Sequence, residues 1–539
     1  MPEHLRALVF IAALAGAVFV LAKAPLTAFA NTERDFVRRR NLWCGLTLSA
    51  FLAHNFWIFV LVASCLLIVA VRAESNRFAL YLGVMLALPL LSAPIPGLGV
   101  VNDLFHVEPL RMLSLFVLLP AYLALRKQPG VEPFGKLLCD KLLLCYLALE
   151  FVLTVPHRTF TSVLRDSIFI AFTDTFLIYY VASRSLRTPQ AFRDALAAFV
   201  VGAMVFCAIV AVEFARGWLL YASVDAALGV DPGGNDYLKR SGRLRAVGTA
   251  GQSIVTGYTC AVAIGLYLYV GTLLRSPLMR HLFMLILIAG VIGAFSRAPW
   301  IGAAIMIVVY ILLGPTPAKN AAKLLGGVLV VGGALMMTPF GQVIVDHLPW
   351  VGTVDSRNVD GRERLAEVAF GVIMENPFFG RFDYWLVPAI EGLRGSDGII
   401  DLVNTYVMIG LKGGLVSVAL FVGIILVAML GAFAGLRRLG DKRDERHALG
   451  RALIATLVGV LFIIGTVSPI FFVYPLLWTL VGLSVGFSLL VQRSGARAMS
   501  HTHLHEPWRQ PWASQPAGVM RSRTNTSNVS FGDRLDGSQ

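Results

Sequence analysis

The stretch LVNTYVMIGLKGGLVSVALFVGIILVAMLGAFAGLRRLGDKRDERHALGR (402–451) decides the fold. An apolar run over 402–434 gives way to RRLGDKRDERHALGR (437–451), and a second apolar run follows at 450–468. A helix needs about 20 apolar residues to cross the hydrocarbon of a bilayer. The stretch therefore reads as two membrane spans joined by a short basic loop, the form that cytoplasmic connections take under the positive-inside rule. The first run is longer than a bilayer requires, so one end of it emerges into water.

The same pattern repeats along the chain. Further apolar spans fall near 5–22, 42–71, 78–96, 107–125, 136–155, 160–182, 191–214, 252–274, 281–296, 298–314, 322–338 and 474–492. Apolar residues make up 57% of the 539 and charged residues only 14%, so the chain cannot clothe itself in a polar surface. The fold class expected is an all-α polytopic membrane helix bundle of about 12–14 spans. The run 5–22 follows Arg6 like a signal peptide, but no convincing cleavage site follows and more spans do, so it reads as a retained helix.

The net charge of +14 is spread singly or in small groups between the apolar runs, which excludes a nucleic-acid partner and points to membrane lipid. Cys44, Cys65, Cys139, Cys145, Cys207 and Cys260 lie in or beside apolar runs with no CxxC, and read as small core residues. The tail carries an alternating His501, His503 and His505, which reads as a metal-tag pattern or as solvated chain.

With 437–451 cytoplasmic, alternation puts Lys319/Lys323, Arg275/Arg280, Arg184/Arg187 and Arg126/Lys127 on the same side. Arg34 and Arg38–Arg40 fall on the other side by this count, so either the spans before residue 72 are miscounted or that loop breaks the rule. The expected organisation is membrane spans over 1–71 and 72–214, a first large external loop at 215–251, and spans over 252–338. A second large external loop at 339–401 follows, then spans over 402–492 and a disordered cytoplasmic tail, 493–539. The second loop is rich in aromatics and contains a helix signal. Asp360 and Glu363 form a capping-box-like pair, and Leu365, Ala366, Ala369, Phe370 and Ile373 share a face before Asn376-Pro377.

The external arginines carry the chemistry. The first loop holds Arg243 and Arg245, followed by AVGTAGQ (246–252), and Arg297 sits in FSRAPW between two apolar runs. Arg362 and Arg364 open the second-loop helix. Guanidinium holds phosphate in a bidentate fork and keeps its charge. Each arginine can instead form an ion pair, and Arg297 can snorkel or cap a helix. Asp397 and Asp401, before the span opening at Leu402, can take a proton from a sugar hydroxyl or cap that helix. Asn404 and Tyr406 at its mouth can hydrogen-bond a sugar. Of the external histidines His106, His157 and His347, none stands in a motif. No nucleotide loop or metal cluster is present, so no cofactor is expected. An enzyme facing outward must use a donor that is already activated.

These elements resemble the O-antigen ligase and Wzy-type polymerase superfamily. The matching residues are Arg362, Pro377-Phe378-Phe379-Gly380, Asn404-Thr405-Tyr406 and Gly413-Gly414, with FSRAPWIG (295–302) and RLRAVGTAGQ (243–252) before them. The resemblance spans about 240–425. It implies inverting, metal-independent glycosyl transfer at the periplasmic face of a bacterial inner membrane, from a glycan on undecaprenyl pyrophosphate. Arg243 or Arg245, Arg297 and Arg362 would hold the pyrophosphate. A flippase and a chain-length regulator would be partner proteins. Val403 stands where ligases of this family tend to carry histidine, and Gln252 where histidine is common, so an acidic base, Asp401 or Asp397, would have to serve. The pattern is closer to exopolysaccharide polymerases than to lipid A–core ligases. A transporter of lipid-linked glycan and a non-catalytic assembly subunit are the alternatives. A transporter would place its charges within the spans, whereas here they gather in two loops.

Overall fold

The computed structural model describes residues 2–30, 32–97, 103–230, 237–240, 242–336, 356–392, 394, 400 and 402–503. The chain is a multi-pass, all-α membrane protein. Among the described residues eight helices are long and apolar enough to span, and Pro277–Gly293 and Arg297–Leu312 are shorter apolar helices.

Helices α1 (Glu3–Thr27), α2 (Glu33–Leu52), α3 (Phe56–Ala73) and the short α4 (Arg77–Val84) open the chain. The apolar run 42–71 is thus divided between α2 and α3. Asn55 causes the break: its side chain accepts from the amides of Trp57 and Ile58 and starts a new helix. Arg38 and Arg39 lie at the start of α2 and meet Glu74, and Arg39 also meets Asp194. The run 78–96 is helical only to Val84; a small hairpin of β1 (Ala93–Pro96) and β2 (Asp103–Val107) follows.

Next come α5 (Pro109–Lys127), α6 (Leu138–Thr154), α7 (Leu177–Ser185) and α8 (Pro189–Arg216). A two-residue ladder of β3 (Lys239–Arg240) and β4 (Arg243–Leu244) precedes α9 (Ser253–Leu273), α10 (Pro277–Gly293), α11 (Arg297–Leu312) and α12 (Pro317–Met336). Helix α13 (Ser356–Glu375) lies in the second loop, and α14 (Thr405–Arg438), α15 (Glu445–Ile464) and α16 (Val473–His503) complete the described chain.

The most enclosed spans are α8, α9, α15 and α16. Lipid cannot drive helices together by hydrophobicity, so close backbone approach does. Gly302 of α11 faces Gly459 of α15 so closely that a Cβ on Gly459 would lie 2.8 Å from the Gly302 carbonyl oxygen. A Cβ on Gly290 of α10 would meet Cys207 of α8 at 2.5 Å. Cys139, Cys207 and Cys260 are core residues, as expected, while Cys65 and Cys145 are exposed.

The bundle has two chemically different ends. At the basic end, Arg39 bridges Asp194 (2.6 Å) and Glu74 (2.7 Å), tying α2 to α8 and to the α3–α4 turn. Arg184 pairs with Asp140 at 2.6 Å, both side chains fully buried. At the loop end, α1 begins against the end of α8: Glu3 accepts from the Trp218 indole at 2.8 Å. The tail expected to be disordered from about 495 is still helical to His503, and His505 lies outside the described residues, as does His347.

Candidate functional site

The first loop re-enters the bundle. Glu213, in the last turn of α8, accepts from the amides of Leu220 (2.9 Å), Val247 (3.0 Å) and Gly248 (2.8 Å). A buried carboxylate so used satisfies backbone donors that have no helix partners. The amide of Ala246 donates to the Gly293 carbonyl at 3.2 Å, and Thr249 donates to Leu86 at 3.1 Å. Ala246, Val247, Thr249 and Ala250 are consequently buried. Arg243 lies half-buried on β4, and Arg245 follows it, its amide donating to Leu238 at 2.9 Å.

That re-entrant segment rests on the turn between α10 and α11. Phe295 adopts φ 47° there, and Arg297 is the first residue of α11. Trp300 locks the turn by donating from its indole to the Val291 carbonyl at 2.8 Å. Arg297 is half-buried, and no hydrogen bond reaches its buried Nε. It has no ion pair among the described residues. A buried guanidinium nitrogen left so is costly unless something else supplies an acceptor.

The second loop folds around its own core of Ala369, Val372, Ile373, Tyr384, Val387 and Ile390, which seats on Leu402 and Leu411. Helix α13 starts at Ser356, ahead of the capping pair expected at Asp360 and Glu363. Its inward face also differs from the expected one. Leu365, Ala369 and Ile373 point inward, but Ala366 is exposed and Phe370 is 61% exposed.

The Pro377–Gly380 turn plugs a break in α14. Gly414 has φ 68° and ψ −173°, which interrupts the helical ladder. The freed groups find partners on the turn. The Leu415 amide donates to Pro377 (2.7 Å), Val416 to Phe378 (3.3 Å), and the Arg381 amide to Leu411 (2.7 Å). A Cβ on Gly414 would lie 2.4 Å from the Phe378 backbone, so the two chains touch main chain to main chain. The two sequence elements Pro377–Gly380 and Gly413-Gly414 are therefore one structural unit. Nearby, Arg381 pairs with Asp383 at 2.9 Å and holds its carboxyl below the usual range.

The other sequence candidates divide as follows. Arg364 is exposed on α13, and Arg362 lies on the same helix with its side chain outside the described residues. Asp397 and Asp401 also lie outside them. Asn404 caps α14, its oxygen accepting from the amides of Tyr406 (3.0 Å) and Val407 (3.2 Å). Its amide nitrogen has no hydrogen bond among the described residues. The Tyr406 hydroxyl donates to the Leu461 carbonyl at 2.8 Å.

Sequence reasoning missed Glu150 and Lys412, which pair at 2.7 Å where α6 meets the α14 break. Each stands inside an apolar run. The signal available was the polarity of Lys412 directly before Gly413-Gly414. A cleft of about 980 Å³ is at the basic end, lined by Asp35, Glu74, Arg77, Arg187 and Asp194 among others. Its lining includes none of Arg243, Arg245, Arg297, Arg362 and Arg364.

Fold and site together define a multi-pass membrane protein that holds two folded loops over one end of its bundle. Residues 282–422 match the family model described as O-antigen ligase. The matched segment runs from α10 through the second loop to the broken α14, and contains Arg297, Arg362 and Asn404. The matched segment is similar to an O-antigen ligase domain, and at the level of the family that likeness indicates a ligase or polymerase type of function. The first loop with Arg243 and Arg245 precedes the match. Comparison with curated proteins gave no match.

Proposed function

We propose that the protein transfers a glycan from an undecaprenyl-pyrophosphate carrier to an acceptor hydroxyl at the periplasmic face of a bacterial inner membrane, building a cell-surface polysaccharide. The observation that carries this reading is Arg297. It opens α11 half-buried, with an unpartnered Nε, against the re-entrant loop that carries Arg245. A buried cation at a helix start suits a pyrophosphate, because the free helix amides favour the same charge.

In the proposed step the acceptor oxygen attacks the anomeric carbon of the donor. The bond from that carbon to the pyrophosphate oxygen breaks, and the lipid pyrophosphate leaves with the electron pair. A carboxylate, Asp401 or Asp397, takes the hydroxyl proton. Attack opposite the leaving group inverts the anomeric centre, and the reaction as proposed requires no metal. Arg243, Arg245, Arg297, Arg362 and Arg364 stabilise charge that grows on the leaving group. Asn404, through its free amide nitrogen, and Tyr406 orient the sugar. Partnership with a flippase and a chain-length regulator belongs to the same reading.

The test replaces Arg297 with Lys or Ala and measures membrane abundance together with surface polysaccharide. Normal abundance with loss of polymer is expected. Wild-type polymer from a normally expressed Arg297→Ala variant would sink the assignment.

A further inference from the structure

Helix α15 carries a guanidinium at the basic end that no carboxylate closes. Arg451, in its second turn, is only 9% exposed and packs on the end of α11. Its Nη2 donates to the Tyr310 hydroxyl at 3.3 Å, and the guanidinium lies over the Tyr310 ring, 4.3 Å from the centroid. No hydrogen bond reaches its buried Nε, and Arg451 has no ion pair among the described residues. Gly314, in the turn after α11, makes room for the group: a Cβ there would lie 2.7 Å from Nη1. One turn earlier on the same face of α15, His447 is buried, and its Nδ1 also lacks a partner.

The neighbouring carboxylates are already in use. Asp444 is held by Arg446 at 2.6 Å, and Glu445 by Arg193 and by the Tyr269 hydroxyl at 2.7 Å. Asp441 is exposed and accepts the Arg443 amide at 2.8 Å. The last carbonyls of α11 and the Tyr310 ring favour a cation, but neither carries a charge that cancels it. A buried guanidinium in this state calls for an anion from outside the chain.

The surroundings describe that anion. Arg280 of α10 is exposed, and its charge reaches Tyr310, the residue on which Arg451 lies. Lys319 and Lys323 are exposed on the opening turns of α12. Large apolar side chains turn outward on the same three helices: Leu278 near the start of α10, Leu312 at the end of α11 and Leu325 on α12. Cations beside outward apolar chains, at the end of a membrane bundle, match an amphiphile with an anionic head and hydrocarbon tails.

We propose that Arg451 and His447 form a binding site for the phosphate of an anionic phospholipid in the leaflet at the basic end, with Arg280 at its rim. The site stands at the opposite end of α11 from Arg297, and it does not depend on the glycosyl-transfer reading. The bound phosphate does for Arg451 what carboxylates do for Arg39 and Arg184: it closes a buried charge and fixes one helix, α15, against another, α11.

The experiment uses the full chain in detergent, with dioleoyl phosphatidylglycerol and dioleoyl phosphatidylcholine as probes. Retained lipid is counted by native mass spectrometry, and the melting temperature is followed in parallel. Wild type should retain phosphatidylglycerol in preference to phosphatidylcholine and melt higher with it. Arg451→Gln should lower that affinity at least about tenfold, the loss expected for one charge-assisted contact, and abolish the gain in melting temperature. Arg280→Gln, at an exposed position, covers the case in which Arg451→Gln fails to fold, and should weaken binding about fivefold, the effect of one cation at a membrane surface. Equal retention of the two lipids by wild type would overturn the site. So would undiminished phosphatidylglycerol binding by a folded Arg451→Gln or, where that variant does not fold, by Arg280→Gln. Inorganic phosphate separates the sources: it should not displace the lipid, and displacement by it would show a site for free phosphate and overturn the lipid assignment.

Discussion

Arginines at the two ends of the bundle are held in two ways, although at the loop end Arg381 is itself paired with Asp383. At the basic end Arg39 meets two carboxylates, Arg184 is sealed against Asp140, and Arg193 is paired with Glu445. At the loop end Arg297 has a bare, buried Nε and Arg158 faces only an aromatic ring. The difference separates two uses of one side chain. A buried guanidinium closed by carboxylates fixes helix positions, and removing one partner strands the other charge. A guanidinium held by packing alone keeps its charge available to an incoming anion.

That contrast can be broken most decisively by paired variants. Arg297→Ala should lower polymer synthesis by a hundredfold or more, about the effect of deleting a transition-state donor, with little change in abundance. Arg184→Ala should do the reverse. It leaves the Asp140 charge buried with the Tyr179 hydroxyl and the amides of Gly135 and Leu137 but no cation, so about 3–5 kcal/mol of stability should be lost, seen as a lowered melting temperature and reduced membrane level. If Arg297→Ala melts early and Arg184→Ala is stable but inactive, the assignment of the two ends is inverted.

Gly414→Ala sharpens the comparison at the plug. A Cβ there requires a strained φ and collides with Phe378, so a destabilisation of about 1–3 kcal/mol is expected, together with easier proteolysis of the second loop. Asn404→Ala should cost about 1 kcal/mol through the lost cap, and any larger fall in activity would report the proposed sugar contact. The smallest effect is that of acid on Asp383. Its carboxyl is held below the ordinary 3.8 by the hydrogen bond from Arg381. The pair's contribution is therefore fully present above that pH and is lost only as pH falls through the lower, folded value. Because the group is exposed, hydrogen exchange near Arg381 should quicken only in strong acid.

Much of this protein is written in its hydropathy. The spans, the basic loop 437–451 and the two long loops follow from period and charge, since lipid contact constrains each segment separately. The pairing of Pro377–Gly380 with Gly413-Gly414 was present in the chain only as two isolated glycine elements. Nothing local says that one caps the other, because the bonds join residues far apart in sequence. The division of 42–71 was legible in Asn55 yet was outweighed by the length of the apolar run around it.

By itself, then, the sequence determined the membrane class and the resemblance of its loop motifs to a glycan-transferring family. Only the tertiary structure decided which arginines are closed by partners and which are left open, and that Lys412 meets Glu150 where α6 passes the break in α14. The physical reason is that a charge's role depends on what neutralises it, and neutralisation is a contact between helices, not a property of any one of them.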